Sequence, residues 1–440
     1  MPSPSFDVSR FIDERPLSGH QVRVLVTCFV IMLLDGFDMQ IIGLALPALA
    51  QDWGLSPKAF GIALTAGPVG MVIGAADLGP LADRYGRKWL VVAAVAVFGF
   101  FTLLAAYTRS PESLAVMRFL MGLGLGGVIP NVVALSAEFV PERYRGTFSA
   151  LTFTGVPLGA LASGLVGAWL IPLLGWQSVF LVGGLAPLAI ACWAAYALPE
   201  SIRFLATRRA GRKKVLSVIG KIAPEIRLAA DVEFTLRETP QSKTGVAGLF
   251  GPGRTLPTVL LTLVFVSNTF GVYFFMSWLP VLMKQTGMSM TFALLSTVLL
   301  NGGGALGTAT LGHLLDRFGV FKVMAISYFI GGLAIIAVGW GSSPGILIPA
   351  IFVSGTCMMG AQCAMYAAVA IVYPTAIRAA GVGTTMGWGR LGSMIGPAVG
   401  TVFVALNWPI TAIFLTASVP IFAASSFIYL VGRIPRAFDS

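Results

Sequence analysis

Charge is what this chain has least of. Asp, Glu, Lys and Arg make up 11% of it, less than half the share of about 25% usual in soluble domains. A water-facing surface cannot be built from so little, so a soluble globular protein is excluded. Histidine occurs twice. Cys28, Cys192, Cys357 and Cys363 fall inside apolar runs, with no metal-ligand spacing and no pairing in polar loops. Neither a metal centre nor a disulfide framework is expected, and the cysteines read as small apolar packing residues. There is no phosphate-binding glycine loop and no nucleophile–base spacing, so nothing supports an enzyme and no cofactor is expected. Residues 1–21 are polar and lack the apolar core of a cleavable signal.

What the chain has instead is apolar length. Hydrophobic residues are 56% of it. Twelve stretches are long enough to cross a bilayer, which takes about 20 residues at 1.5 Å each: residues 22–47, 58–80, 88–108, 113–137, 145–170, 176–197, 255–283, 291–315, 321–341, 345–372, 379–405 and 408–432. The expected class is an all-α membrane protein of twelve transmembrane helices. The net charge of +11 raises the question of nucleic acid, and its distribution answers it. With both termini placed in the cytoplasm, only Lys58, Arg109 and Lys284 of the 29 Lys+Arg fall in outer loops, and Arg118 and Arg390 lie deep within spans. The remainder are on the cytoplasmic side, a strong positive-inside bias. The basic charge reports topology rather than a nucleic-acid partner.

The chain repeats itself. Gly79-x-x-x-Asp83-Arg84-x-Gly86 recurs as Gly312-x-x-x-Asp316-Arg317-x-Gly319, a shift of 233 residues, and the same shift carries Pro141 to Pro374 and Arg145 to Arg378. The longest polar stretch, Pro199 to Arg254, separates the copies. The expected division is a six-helix half over 1–198, a solvated cytoplasmic linker with short interfacial helices over 199–254, and a second six-helix half over 255–440. Duplicated halves of this kind bind their substrate near the midplane between them.

Four charges lie well inside the spans, away from their ends. Asp35 and Asp38, flanking Gly36-Phe37, lie three apart and so on one face of the first span. By helical rise they sit roughly 18 and 13 Å below its outer end. A carboxylate at such depth costs about 2.5–3.5 kcal/mol even on the mild insertion scales. The pair therefore needs a partner cation, bound protons or a wet cavity. Arg118, about 9 Å down the fourth span, can reach Asp38, either as a fixed ion pair or as a proton-linked switch. Arg390 lies about 18 Å into the eleventh span with no acid of the second half at its depth, and an incoming carboxylate would pair with it bidentately. Trp388, Phe37 and the run Tyr273-Phe274-Phe275 are the candidates to flank a flat ring. Applying the repeat, Asp35 maps to Asn268, Asp38 to Gly271 and Arg118 to Ile351, so the halves differ where intramembrane charge lies.

Asp77-x-x-x-x-x-Asp83-Arg84-Tyr85-Gly86-Arg87-Lys88 resembles the signature loop of the major facilitator superfamily. Gly74-Ala75-Ala76-Asp77-Leu78-Gly79-Pro80, together with Asp35-Gly36-Phe37-Asp38, resembles the aromatic acid:proton symporter family within it. The resemblance runs through all twelve spans. It implies proton-driven uptake of a benzoate-type acid such as protocatechuate, 4-hydroxybenzoate, vanillate or gentisate across a bacterial inner membrane, by a monomer alternating between access states. It also implies a cytoplasmic gate in which Asp77, Asp83, Arg84, Arg87 and Lys88 meet Glu138 and Arg145, echoed at Asp316, Arg317 and His313. Drug or metabolite efflux, transport of a non-aromatic acid and a membrane sensor remain open alternatives.

Overall fold

A computed structural model describes residues 5–206, 212–223, 233–235, 245–251, 253–373 and 375–434. Its twelve long helices are labelled here in chain order. The first six are α1 (Gly19–Asp52), α2 (Gly61–Tyr85), α3 (Arg87–Ala105), α4 (Pro111–Glu138), α5 (Glu142–Leu174) and α6 (Gln177–Ala197). The second six are α7 (Thr255–Gln285), α8 (Met290–Phe318), α9 (Val320–Trp340), α10 (Pro344–Val372), α11 (Thr375–Ala405) and α12 (Ile410–Arg433). Eleven of them are long and apolar enough to cross a membrane among the described residues, and α11, which carries Arg390 at mid-length, is the exception.

Local chemistry sets the ends. Ser18 caps α1 and Gln21 reaches back in a capping box, Ser110 and Ser113 do the same for α4 behind Pro111, and Ser289 caps α8. Gly86 and Gly319 hold φ of 101° and 87° between α2–α3 and α8–α9, a region that an L side chain resists.

Packing repeats with the sequence. A Cβ on Gly70 would overlap the Phe119 carbonyl and one on Gly122 the Gly67 carbonyl, so α2 and α4 touch backbone to backbone. The corresponding pairs 233 residues on are Gly303 against Phe352 and Gly355 against Leu300, which join α8 to α10. Gly159 against Leu33 joins α5 to α1, and Gly392 against Val266 joins α11 to α7. Such close approach is how small residues hold helices together where lipid removes the hydrophobic drive. Between the first six and last six helices, α1 packs on α7, α2 on α11 and α5 on α8.

Two expectations need correction. The described part of the linker contains a short helix, as expected, but that helix is packed on the protein rather than solvated. This helix, Arg212–Ile222, buries Val215, Val218, Ile219 and Ile222 against Phe11, Ile12, Phe139 and Leu198, because their three- and four-residue spacing puts them on one face. Strand Ser5–Asp7 also pairs in parallel with Glu233–Thr235. Among the cysteines, Cys28 and Cys357 are buried, but Cys192 is exposed on α6 and packs in no core.

Candidate functional site

The site begins on α1, whose two carboxylates are both fully buried but differently placed. Asp38 has each oxygen occupied. The Thr102 hydroxyl on α3 donates to Oδ1 at 3.0 Å, and the Arg118 guanidinium on α4 lies 3.2 Å from Oδ2. The pair is sealed, with side chains 5% and 1% exposed. Glycine makes room for it: a Cβ on Gly67 of α2 would lie 3.2 Å from Arg118 Nη2. Asp35, one turn nearer the cytoplasm, has no hydrogen-bond partner for either oxygen among the described residues. It feels the charges of Asp38 and Arg390.

Arg390, half-buried on α11, donates from Nη1 to the Met71 carbonyl on α2 at 3.1 Å. Among the described residues no carboxylate forms an ion pair with it. Met71, Asp38, Met39, Arg118, Tyr273 and Ser277 line a cavity of ≈ 20 Å³ between the halves, room for about one water. An aromatic ring does not fit in this contracted conformation.

The structure corrects the choice of ring-flanking residues. Tyr273 lines the cavity, its hydroxyl 3.6 Å from the Met39 sulfur. Phe274 instead stacks on Phe270 at 6.0 Å and meets Phe275 edge-on within the core. Phe37 is buried toward Gly183 of α6, and Trp388 is 56% exposed. Helical geometry is the reason. Phe274 and Phe275 are rotated about 100° and 200° from Tyr273, into packing against Phe270 and Phe414, and Trp388 is rotated about 200° from Arg390.

At the cytoplasmic end, Arg87 at the start of α3 pairs with Glu138 at the end of α4, both side chains mostly buried. Arg84 lies 5.4 Å over the Tyr85 ring, and its repeat mate Arg317 lies 5.3 Å over Phe318. Lys88 sits 5.2 Å over Trp89. The side chains of Asp77, Asp83, Arg145, His313 and Asp316 lie outside the described residues. Sequence reasoning missed Glu200. Its carboxylate accepts from the backbone N–H of Lys88 at 3.1 Å and of Ser201 at 2.9 Å, placing an anion on the N-terminus of α3 where the helix dipole favours it. The signal was an acid just past the end of α6, which reads equally well as a helix stop. Thr102 was also missed, as a hydroxyl in an otherwise apolar span.

Comparison with known proteins follows the same architecture. The model of the Major Facilitator Superfamily matches residues 28–309 and 261–438. A gallate transporter of Pseudomonas putida is 40% identical over 95% of this chain and 93% of its own. The 4-hydroxybenzoate transporter PcaK of Pseudomonas aeruginosa is 38% identical over 98% and 97%. Among solved structures, the xylose transporter XylE of E. coli, in a partially occluded inward-open conformation, aligns at a TM-score of 0.72. That alignment has 16% identity and spans 96% of this chain and 100% of the other, a likeness of fold.

Proposed function

Because the chain belongs to the major facilitator superfamily, a family of multi-pass membrane transporters rather than enzymes, we propose that it takes up an aromatic carboxylate together with protons. The substrate is of the hydroxybenzoate, protocatechuate or vanillate type, and the route is alternating access across the bacterial inner membrane. The observation that carries this reading is near full-length similarity at 38–40% identity to proteins named as gallate and 4-hydroxybenzoate transporters. The buried charges supply a mechanism consistent with it.

Arg390 receives the substrate carboxylate. In the contracted conformation it spends a donor on the neutral Met71 carbonyl of the opposite half. A charged carboxylate makes hydrogen bonds roughly twice as strong, so substrate arrival exchanges an inter-half contact for a substrate contact. Tyr273 forms part of the wall beside the ring. Asp35, with neither oxygen committed, and Asp38, committed to Thr102 and Arg118, bind the coupled protons, and Arg118 is released when Asp38 takes one up. The energetics call for this: carrying a monoanion into a cell 100 mV negative inside costs about 2.3 kcal/mol. One proton cancels that charge, and a second makes uptake electrically favourable.

Residues 1–198 and 255–440 rock as two bodies about the linker 199–254, as a monomer in lipid with both termini cytoplasmic. The Arg87–Glu138 pair and its loop partners Asp77, Asp83, Arg84, Lys88 and Arg145, with Asp316, Arg317 and His313 in the second half, form the inner gate. The test is uptake of a panel of labelled benzoates by cells expressing the chain, with and without a protonophore. Protonophore-sensitive accumulation of at least one hydroxylated acid is expected. Indifference to every aromatic acid, or efflux under an inward proton gradient in sealed vesicles, would overturn the assignment.

A further inference from the structure

We infer that Asn268 on α7 is the residue that reads the ring hydroxyl of the substrate, a specificity determinant facing Asp35 across the pseudo-two-fold axis. The inference rests on the aromatic-acid reading above and adds to it a contact from the second half.

Three observations lead there. Among the described carboxylate and amide side chains, two are fully buried with neither polar atom hydrogen-bonded, and they are Asp35 and Asn268. These two are repeat mates, 233 residues apart. Finally, α1 and α7 meet at mates as well: a Cβ on Gly43 would overlap the Met276 carbonyl, which also accepts from Gln40 Nε2 at 3.2 Å. Met276 is Gly43 shifted by 233, so the symmetry axis passes between them. From that crossing each helix runs eight residues inward, roughly 12 Å, to Asp35 and Asn268. Asp35 lies within electrostatic range of Arg390 and Tyr273 of the second half. The same operation turns Asn268 toward the first half. Arg390 stands at the same level, since Gly389 and Gly392 on either side of it pack on Phe265, Val266 and Thr269 of α7.

A buried amide with no partner keeps its desolvation penalty, and apolar residues would fill its place without it. Its chemistry fits a phenol. The amide offers an N–H donor and a carbonyl acceptor, and a phenolic hydroxyl needs one of each. Being neutral, Asn268 leaves the carboxylate to Arg390.

The experiment compares initial uptake of benzoate, 3-hydroxybenzoate, 4-hydroxybenzoate and 3,4-dihydroxybenzoate by wild type, Asn268→Leu and Asn268→Ala, normalised to protein in the membrane. For the hydroxylated acid that wild type prefers, kcat/KM should fall roughly 2- to 12-fold in both variants, the loss of one neutral hydrogen bond. Benzoate should change less than about 2-fold. Thermal unfolding of the purified full chain supplies the second readout. Asn268→Leu should melt no lower than wild type, because it removes an unpaired amide. An equal fall for benzoate and the hydroxylated acids, no fall at all, or a clear loss of thermal stability in Asn268→Leu would each overturn the role. Failure of wild type to take up any of the four acids would instead strike the functional reading itself.

Discussion

The sealed pair of Asp38 and Arg118 gives the most direct measure of whether these charges are arranged as described. At 3.2 Å and an effective dielectric of 20, their attraction is about 5 kcal/mol. Removing one partner of a buried pair typically costs about 3–5 kcal/mol, because the other charge is left uncompensated. Arg118→Met leaves Asp38 with Thr102 alone, and Asp38→Leu strands a guanidinium whose Nε already lacks a partner. The double variant strands nothing but the Thr102 hydroxyl, which can turn back to its own helix carbonyl. Each single variant should therefore lose about 3 kcal/mol or more and the double less than about 2. That non-additivity far exceeds the ~0.5 kcal/mol scatter of independent sites. The assay is unfolding of the purified full chain in mixed detergent micelles, followed by fluorescence of its nine tryptophans. Singles that each cost under about 1 kcal/mol, or a double equal to their sum, would refute a sealed, coupled pair.

Three further outcomes follow from the geometry. Asp35→Asn, which keeps shape while removing the ionisable group, should abolish protonophore-sensitive accumulation yet retain substrate counterflow; full accumulation would remove Asp35 from proton coupling. Arg390→Ala should raise the half-saturating substrate concentration at least tenfold, since a hydrogen bond to a charged group contributes about 1.5–3 kcal/mol, and Arg390→Lys should rescue only part because a point charge cannot bind bidentately; an unchanged value would remove it from the site. Gly122→Leu and Gly355→Leu, mates whose side chains would drive into the Gly67 and Leu300 carbonyls, should both eliminate folded protein from the membrane, whereas Gly383→Ala, with open space around it, should express normally; equal expression of all three would contradict the packing.

The helices were legible because lipid enforces them. Every expected span lies within or within a few residues of an observed helix, since backbone polar groups must be satisfied inside each segment and the apolar length is fixed by the bilayer. The meeting of Asp38 and Arg118 was legible too, because depth can be counted at 1.5 Å per residue. Azimuth is where sequence reading lost its hold. Tyr273 and Phe274 are adjacent and both aromatic, and only the rotation of α7 decides which one borders the cavity. Backbone partners are equally silent in sequence. Nothing about Met71 marks its carbonyl as the acceptor for Arg390, and the pairing of Ser5–Asp7 with Glu233–Thr235 leaves no side-chain pattern.

The two halves share a scaffold but not a polarity, and the contrast argues for where chemistry lies. Where the first half has Thr102, Asp38 and Arg118 bonded together, the second has Ile335, Gly271 and Ile351 at the mates, with both isoleucines fully buried. The apolar version therefore folds in the same setting, and the ionic version is not needed to hold such helices together. At the next turn inward the halves instead stay polar together, with Asp35 and Asn268 each buried and each unbonded. Stability alone favours an apolar residue at both places, because each orphaned group carries a desolvation penalty of about 1–3 kcal/mol with nothing to offset it. A penalty repeated at symmetry mates, one of them within electrostatic reach of an arginine whose partner among the described residues is a backbone carbonyl, is what a site must carry before its ligand arrives. The bound molecule then supplies the hydrogen bonds that the empty fold leaves unmade.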